Sequence, residues 1–150
     1  LRELDLCFNQ IGDDGLKSLS VALSVAPSTG ALGNLRGLFL GGNKIGDGGI
    51  KSLSVALSHG ALGNLRELFL GGNKIGDGGI KSLSAALSNG AVGNLVELYL
   101  CGNKIGDEGI KSLADALSRG ALHNMLRLGV DNPLHPQLMS ACSKCGIHIR

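Results

Sequence analysis

The chain has 150 residues, 43% of them hydrophobic, with a formal charge of +2 and only 3% aromatic residues. That length and apolar content suit one domain with a continuous core. The small charge, with no Lys/Arg cluster interleaved with aromatics, argues against nucleic acid as the partner. The uncharged interval from Ser18 to Leu35 carries Ser18, Ser20, Ser24, Pro27, Ser28, Gly30, Gly33 and Asn34 and is too polar for a membrane span.

From Leu1 the text LRELDLCFNQIGDDGLKSLSVALS predicts a strand, a turn and a helix, followed by Val25-Ala26-Pro27-Ser28-Thr29-Gly30, a lengthened loop. Leu35–Asn64 and Leu65–Asn94 then repeat one 30-residue unit, differing only at Gly37/Glu67, Val55/Ala85, His59/Asn89 and Leu62/Val92. Leu95–Asn124 keeps the period. A last copy starts at Met125, loses one residue before Asn132 and departs into Pro133-Leu134-His135-Pro136. There Pro136 suits a helix start, Gly146 its stop, and Ile147-His148-Ile149 a short closing strand. Self-similarity at this period marks a stacked solenoid, whose units bury their apolar faces only against one another.

The apolar period switches inside each unit. Leu68-Phe69-Leu70 alternates as a strand, whereas Ile80, Leu83, Ala86 and Leu87 follow the spacing of one helical face. Asp77 is expected to be the helix N-cap and Gly90 its C-terminal stop.

The consensus LxxLxLxxNxIGDxGxxxLxxAL resembles the leucine-rich repeat, in its long-repeat class typified by ribonuclease inhibitor, Ran GTPase-activating protein and the arrays of NOD-like receptors. The resemblance implies an α/β solenoid, a horseshoe arc with parallel strands on the concave face and helices on the convex face. It makes Leu65, Leu68, Leu70, Ile75, Ile80, Leu83 and Leu87 the buried ladder of one unit. It also assigns Asn43, Asn73 and Asn103, with Asn9 and Asn132 at the ends, to hydrogen bonds with turn backbone. One domain, 1–150, is expected, with units 1–34, 35–64, 65–94, 95–124 and a terminal cap 125–150. Leu1–Leu6 opens without a polar cap, so that edge is expected to meet further repeats or another chain, the whole being the C-terminal part of a longer array.

Candidate chemistry yields to structural readings. Cys142-Ser143-Lys144-Cys145 with His148 suggests a metal site, but only His135 or His123 could supply a fourth ligand. Registering the last unit on the one before puts Met139, Cys142 and Cys145 at inward positions, as small core residues. Gly41-Gly42-Asn43-Lys44-Ile45-Gly46-Asp47-Gly48-Gly49 invites a phosphate loop, yet Asp47 stands where the Walker spacing needs lysine. Neither calcium-loop spacing nor a catalytic constellation around His59, His123, His135 or His148 is present. No enzymatic activity, cofactor or metal is expected.

Strand alternation sends three columns outward: Glu3, Gly37, Glu67, Glu97, Arg127; Asp5, Phe39, Phe69, Tyr99, Gly129; and Cys7, Gly41, Gly71, Cys101, Asp131. Phe39, Phe69 and Tyr99 should form an aromatic ridge open on its glycine side, with Glu67 and Glu97 bordering the other, the composition of a protein-binding hot spot. Lys44, Lys74 and Lys104 form a basic row beyond the turns, and Val21 and Val55 a small apolar spot on the helices. The expected function is a non-enzymatic module binding a protein through its concave face. The alternative is a structural or peripheral scaffold subunit held by its N-terminal edge; a GTPase-activating or ribonuclease-inhibitor role is less well matched. Cys7 and Cys101 are too far apart for a disulfide, and no N-x-S/T site occurs. Both point to an intracellular, reducing compartment.

Overall fold

The switch in apolar period along each unit is followed by the backbone of the computed structural model, which describes residues 1–25, 32–120 and 122–150. In chain order the elements are β1 (Glu3–Asp5), α1 (Asp13–Val25), β2 (Gly37–Phe39), α2 (Asp47–Ser58), β3 (Glu67–Phe69), α3 (Asp77–Ser88), β4 (Glu97–Tyr99), α4 (Asp107–Ser118), β5 (Arg127–Gly129), α5 (Pro136–Cys145) and β6 (His148–Ile149). The six strands form one parallel sheet in chain order. Its register places Leu38 beside Leu68, Leu68 beside Leu98, and Leu98 beside Leu128. Glu3 pairs with Gly37, so the first unit's extra length is absorbed between α1 and β2. The lengthened loop expected there lies, apart from Val25, outside the described residues.

Each helix packs on the next, from α1 through α5. Parallel strands stack about 4.8 Å apart, whereas packed helices need roughly 8–10 Å. A stack with these two spacings must bend, with the sheet inside and the helices outside. Between the layers lies a continuous apolar seam. Leu65, Leu68, Leu70, Ile75, Ile80, Leu83 and Leu87 are all at 0% exposure, as the ladder reading requires.

The asparagines at the turns, Asn43 and Asn73 buried and Asn103 partly buried, tie one turn to the next. Asn73 Nδ2 donates to Leu40 O of the preceding unit and Leu70 O of its own, while its Oδ1 accepts from Ile45 N. Asn43 does the same one unit earlier, joining Leu6 O, Leu40 O, Asn9 N and Ile11 N, and Asn103 joins Leu70 O, Leu100 O and Ile75 N. These amides satisfy backbone groups that no strand or helix reaches. The end members differ: Asn9 and Asn132 are exposed.

The last unit departs from its expected register. Leu138, Ala141 and Cys142 face the core, whereas Met139 is 46% exposed and Cys145 is exposed too. Pro136 begins α5 and the shortened turn before it rotates the helix, so Leu138 rather than Met139 takes the place of Ile110. Gly146 ends α5 at φ 69°, the left-handed stop, and β6 then pairs with β5.

Candidate functional site

The outward columns assemble on the sheet face. Phe39 and Phe69 have ring centroids 5.0 Å apart at a tilt of 50°, and Phe69 and Tyr99 stack at 4.4 Å and 26°. All three rings are partly buried. They recline rather than project: a Cβ at Gly37 would lie 2.8 Å from the Phe39 ring, and one at Gly129 would lie 2.6 Å from Tyr99. The absent side chains, in the border column beside Phe39 and on the strand beyond Tyr99, therefore give the two end rings room to lie down. On the other flank, Gly71 is not simply open space, because a Cβ there would come 3.0 Å from Cys101 O.

The two candidate border acids are not equivalent. Glu97 accepts an ion pair from Arg127 on the next strand, and its side chain is only 16% exposed. Glu67 has neither a side-chain hydrogen bond nor an ion pair among the described residues.

The glycine-rich turns do cradle an anion, but it is the protein's own. The N-caps of α2, α3 and α4 are Gly46, Gly76 and Gly106, none with a side-chain cap of its own, so Asp77 is not the N-cap expected from the sequence. Instead each aspartate reaches forward one unit. Asp13 accepts Gly46 N–H at 2.6 Å, Asp47 accepts Gly76 N–H at 2.6 Å, and Asp77 accepts Gly106 N–H at 2.7 Å and Gly109 N–H at 3.0 Å. The helix N-terminus offers unpaired amides and a positive dipole end, which a carboxylate complements. Gly79 is needed for this: a Cβ there would approach Asp47 Oδ1 to 2.7 Å and Ile75 Cγ2 to 2.9 Å. Asp131 plays a related part at the end of the sheet, accepting Gly102 N–H at 2.9 Å.

Comparison with known sequences decides the family. A leucine-rich-repeat family model matches residues 1–20, 34–54, 64–84 and 94–114, more than half of the chain. The chain belongs to the leucine-rich-repeat family. No curated protein matches its sequence. Among solved structures, actin-binding site 2 of leiomodin-1 is similar over 96% of this chain and 78% of that one, with a TM-score of 0.75 and 18% identity. At that identity the likeness concerns the fold.

Within the leucine-rich-repeat framework the cysteines carry no assembled centre. All four are free thiols, and among the described residues no group of three or more His, Cys, Asp or Glu could hold a metal ion. Burial pushes the Cys142 thiol up to about 11, helped by neighbouring Cys145, so it stays protonated at neutral pH. Cys7 and Cys101 are also raised, first by burial, then by the carboxylates of Asp5 and Asp131 respectively. Among the described residues no helix is long and apolar enough to cross a membrane.

Two features of the repeat surface escaped the column reading. Phe8 takes the place held by Gly42, Gly72 and Gly102, adopts their left-handed backbone at φ 58°, and is 84% exposed. Its ring lies over Gly42, where a Cβ would meet it at 2.3 Å. A bulky residue in that conformation is strained. It could have been found as the one aromatic among glycines at a turn position. The second is a row of arginines, Arg2, Arg36 and Arg66, one residue before β1, β2 and β3, which aligning that column would have revealed.

Proposed function

We propose that this leucine-rich-repeat array is a non-catalytic module that binds a protein through its sheet face. Phe39, Phe69 and Tyr99 serve as the apolar anchors and Glu67 as the polar selector; Glu97 acts through its pair with Arg127, holding the edge of the ridge in place. The reading rests on one observation: three aromatic rings in mutual contact lie on the outward face of adjacent strands and retain solvent exposure. Apolar rings clustered on an exposed surface and rimmed by charge are the composition of an interaction hot spot. The absence of a cofactor or metal role, and residence in a reducing compartment with its four thiols free, belong to the same reading.

The test has two steps. Cross-linking mass spectrometry on native extract identifies the bound protein, with actin among those tried because the similar leiomodin-1 segment is described as an actin-binding site. The partner's affinity is then compared between the wild type and a variant carrying Phe39→Ser, Phe69→Ser and Tyr99→Ser. A loss of at least about 2 kcal/mol is expected for removal of a hot spot. Unchanged affinity in a folded variant, with only reduced stability, would reassign the rings to sheet stabilisation at roughly 0.2–1 kcal/mol per pair.

A further inference from the structure

Arg2, Arg36 and Arg66 occupy successive rungs at the start of the strands. Arg36 N–H donates to Arg2 O and Arg66 N–H to Arg36 O, each at 2.7 Å, which locks the three in register about 4.8 Å apart. Together with Asn34, Asn64 and Asn94 they line a groove of about 580 Å³. The floor is braced: Asn64 Nδ2 donates to Gly33 O at 2.9 Å and Asn94 Nδ2 to Gly63 O at 3.0 Å. All three arginines are exposed. The ion pairs among the described residues are Lys111–Glu108 and Arg127–Glu97, so none of the three guanidiniums is matched by a carboxylate.

Like charges on adjacent rungs repel. An anion spanning the rungs converts that repulsion into attraction, and guanidiniums suit carboxylates because two N–H groups can face two oxygens. Further along, the same column continues as Val96, partly buried, and Leu126, 53% exposed. The strip thus changes from cationic to aliphatic across the array.

We propose that this groove binds an extended acidic segment of a protein partner, its carboxylates on Arg2, Arg36 and Arg66 and a following apolar side chain over Val96 and Leu126. Three guanidiniums at strand spacing cover about 10 Å, which an extended chain crosses in roughly three residues. A short run of Asp or Glu is therefore sufficient. The aliphatic continuation favours a peptide over a nucleic acid, whose bases need aromatic platforms. The class of partner rests on the protein-binding reading above, but the groove shares no residue with the aromatic ridge.

The probe is a fluorescein-labelled synthetic peptide with a run of glutamates followed by leucine, titrated with the protein and read by anisotropy. Saturable binding that weakens with salt is expected. R36Q/R66Q should lower affinity at least about tenfold, while K44Q/K74Q, which removes the same charge at the opposite end of the strands, should leave it within about twofold. Absence of binding, equal losses in both double variants, or tighter binding of an oligouridylate through the same arginines would each overturn the proposal. If R36Q/R66Q does not fold, wild-type amide shifts decide: Arg36, Gly37, Arg66 and Glu67 should move on peptide addition and Lys44 and Lys74 should not, and the reverse pattern counts against the groove. Peptide binding retained by the Phe39→Ser, Phe69→Ser, Tyr99→Ser variant separates the groove from the ridge, so each proposal can fail alone.

Discussion

Of the rows of like charge that cross the array, one at the helix starts and one at the strand starts have different surroundings. Asp13, Asp47 and Asp77 each find the N–H groups of the next helix within 2.6–2.7 Å. Arg2, Arg36 and Arg66 repeat at the same period, yet what lies one rung away is another arginine. A repeated charge is absorbed into the stack when the neighbouring unit presents opposite polarity at the same height. The N-terminal end of a helix does so, because its amides lack acceptors. The start of a strand does not, and its charge remains available to an external partner.

The comparison can be tested by removing members of each kind of row, with urea denaturation as the readout. The largest effect is expected from a polar row enclosed on every side. Asn73→Ala would leave Ile45 N–H without a partner inside the turn and take one of two donors from Leu40 O and Leu70 O, which Asn43 and Asn103 still reach, and with one buried group stranded the loss should be roughly 2–3 kcal/mol. Asp47→Ala should cost about 1 kcal/mol, the magnitude of a lost helix cap. The damage should be read at the start of α3 as faster hydrogen exchange of the Gly76 amide, although the mutated residue belongs to the preceding unit. Arg36→Gln should be the mildest, within about 0.5 kcal/mol and stabilising where it changes anything, since it relieves repulsion between rungs. That gain should vanish in concentrated salt. An Arg36→Gln variant as unstable as Asp47→Ala would show that both rows are structural and remove the contrast.

Much of the array was legible from spacing. The alternation around Leu68 and the helical face of Ile80, Leu83 and Leu87 report burial directly, because a strand and a helix present one face to the core at periods of their own. Phe39, Phe69 and Tyr99 were legible as neighbours for the same reason: a constant period puts equal positions on adjacent strands. Other contacts lay beyond that logic. Asp77 stands at a helix start, and local capping rules assign it to its own helix; that its carboxylate turns to the next one depends on the distance between stacked helices. The pairing of Glu97 with Arg127 is likewise a cross-strand event, and it withdraws one of two acids that looked equivalent in the sequence. In α5, a shortened turn and Pro136 reset the helix by a fraction of a turn, enough to exchange Leu138 for Met139 in the core.

By itself, the sequence determined the repeat, the order of strand and helix, the core ladder and the column of aromatics, because each is a consequence of periodicity along one chain. Tertiary structure alone decided which charges are used up. The forward reach of Asp47, the recline of Phe39 over Gly37, the exposed ring of Phe8 and the unmatched guanidiniums of Arg36 and Arg66 all depend on what the adjacent unit places within hydrogen-bond or van der Waals range. A period states which residues are equivalent. Only the stacking distance and angle between units state whether equivalent residues complement their neighbours or are left facing solvent.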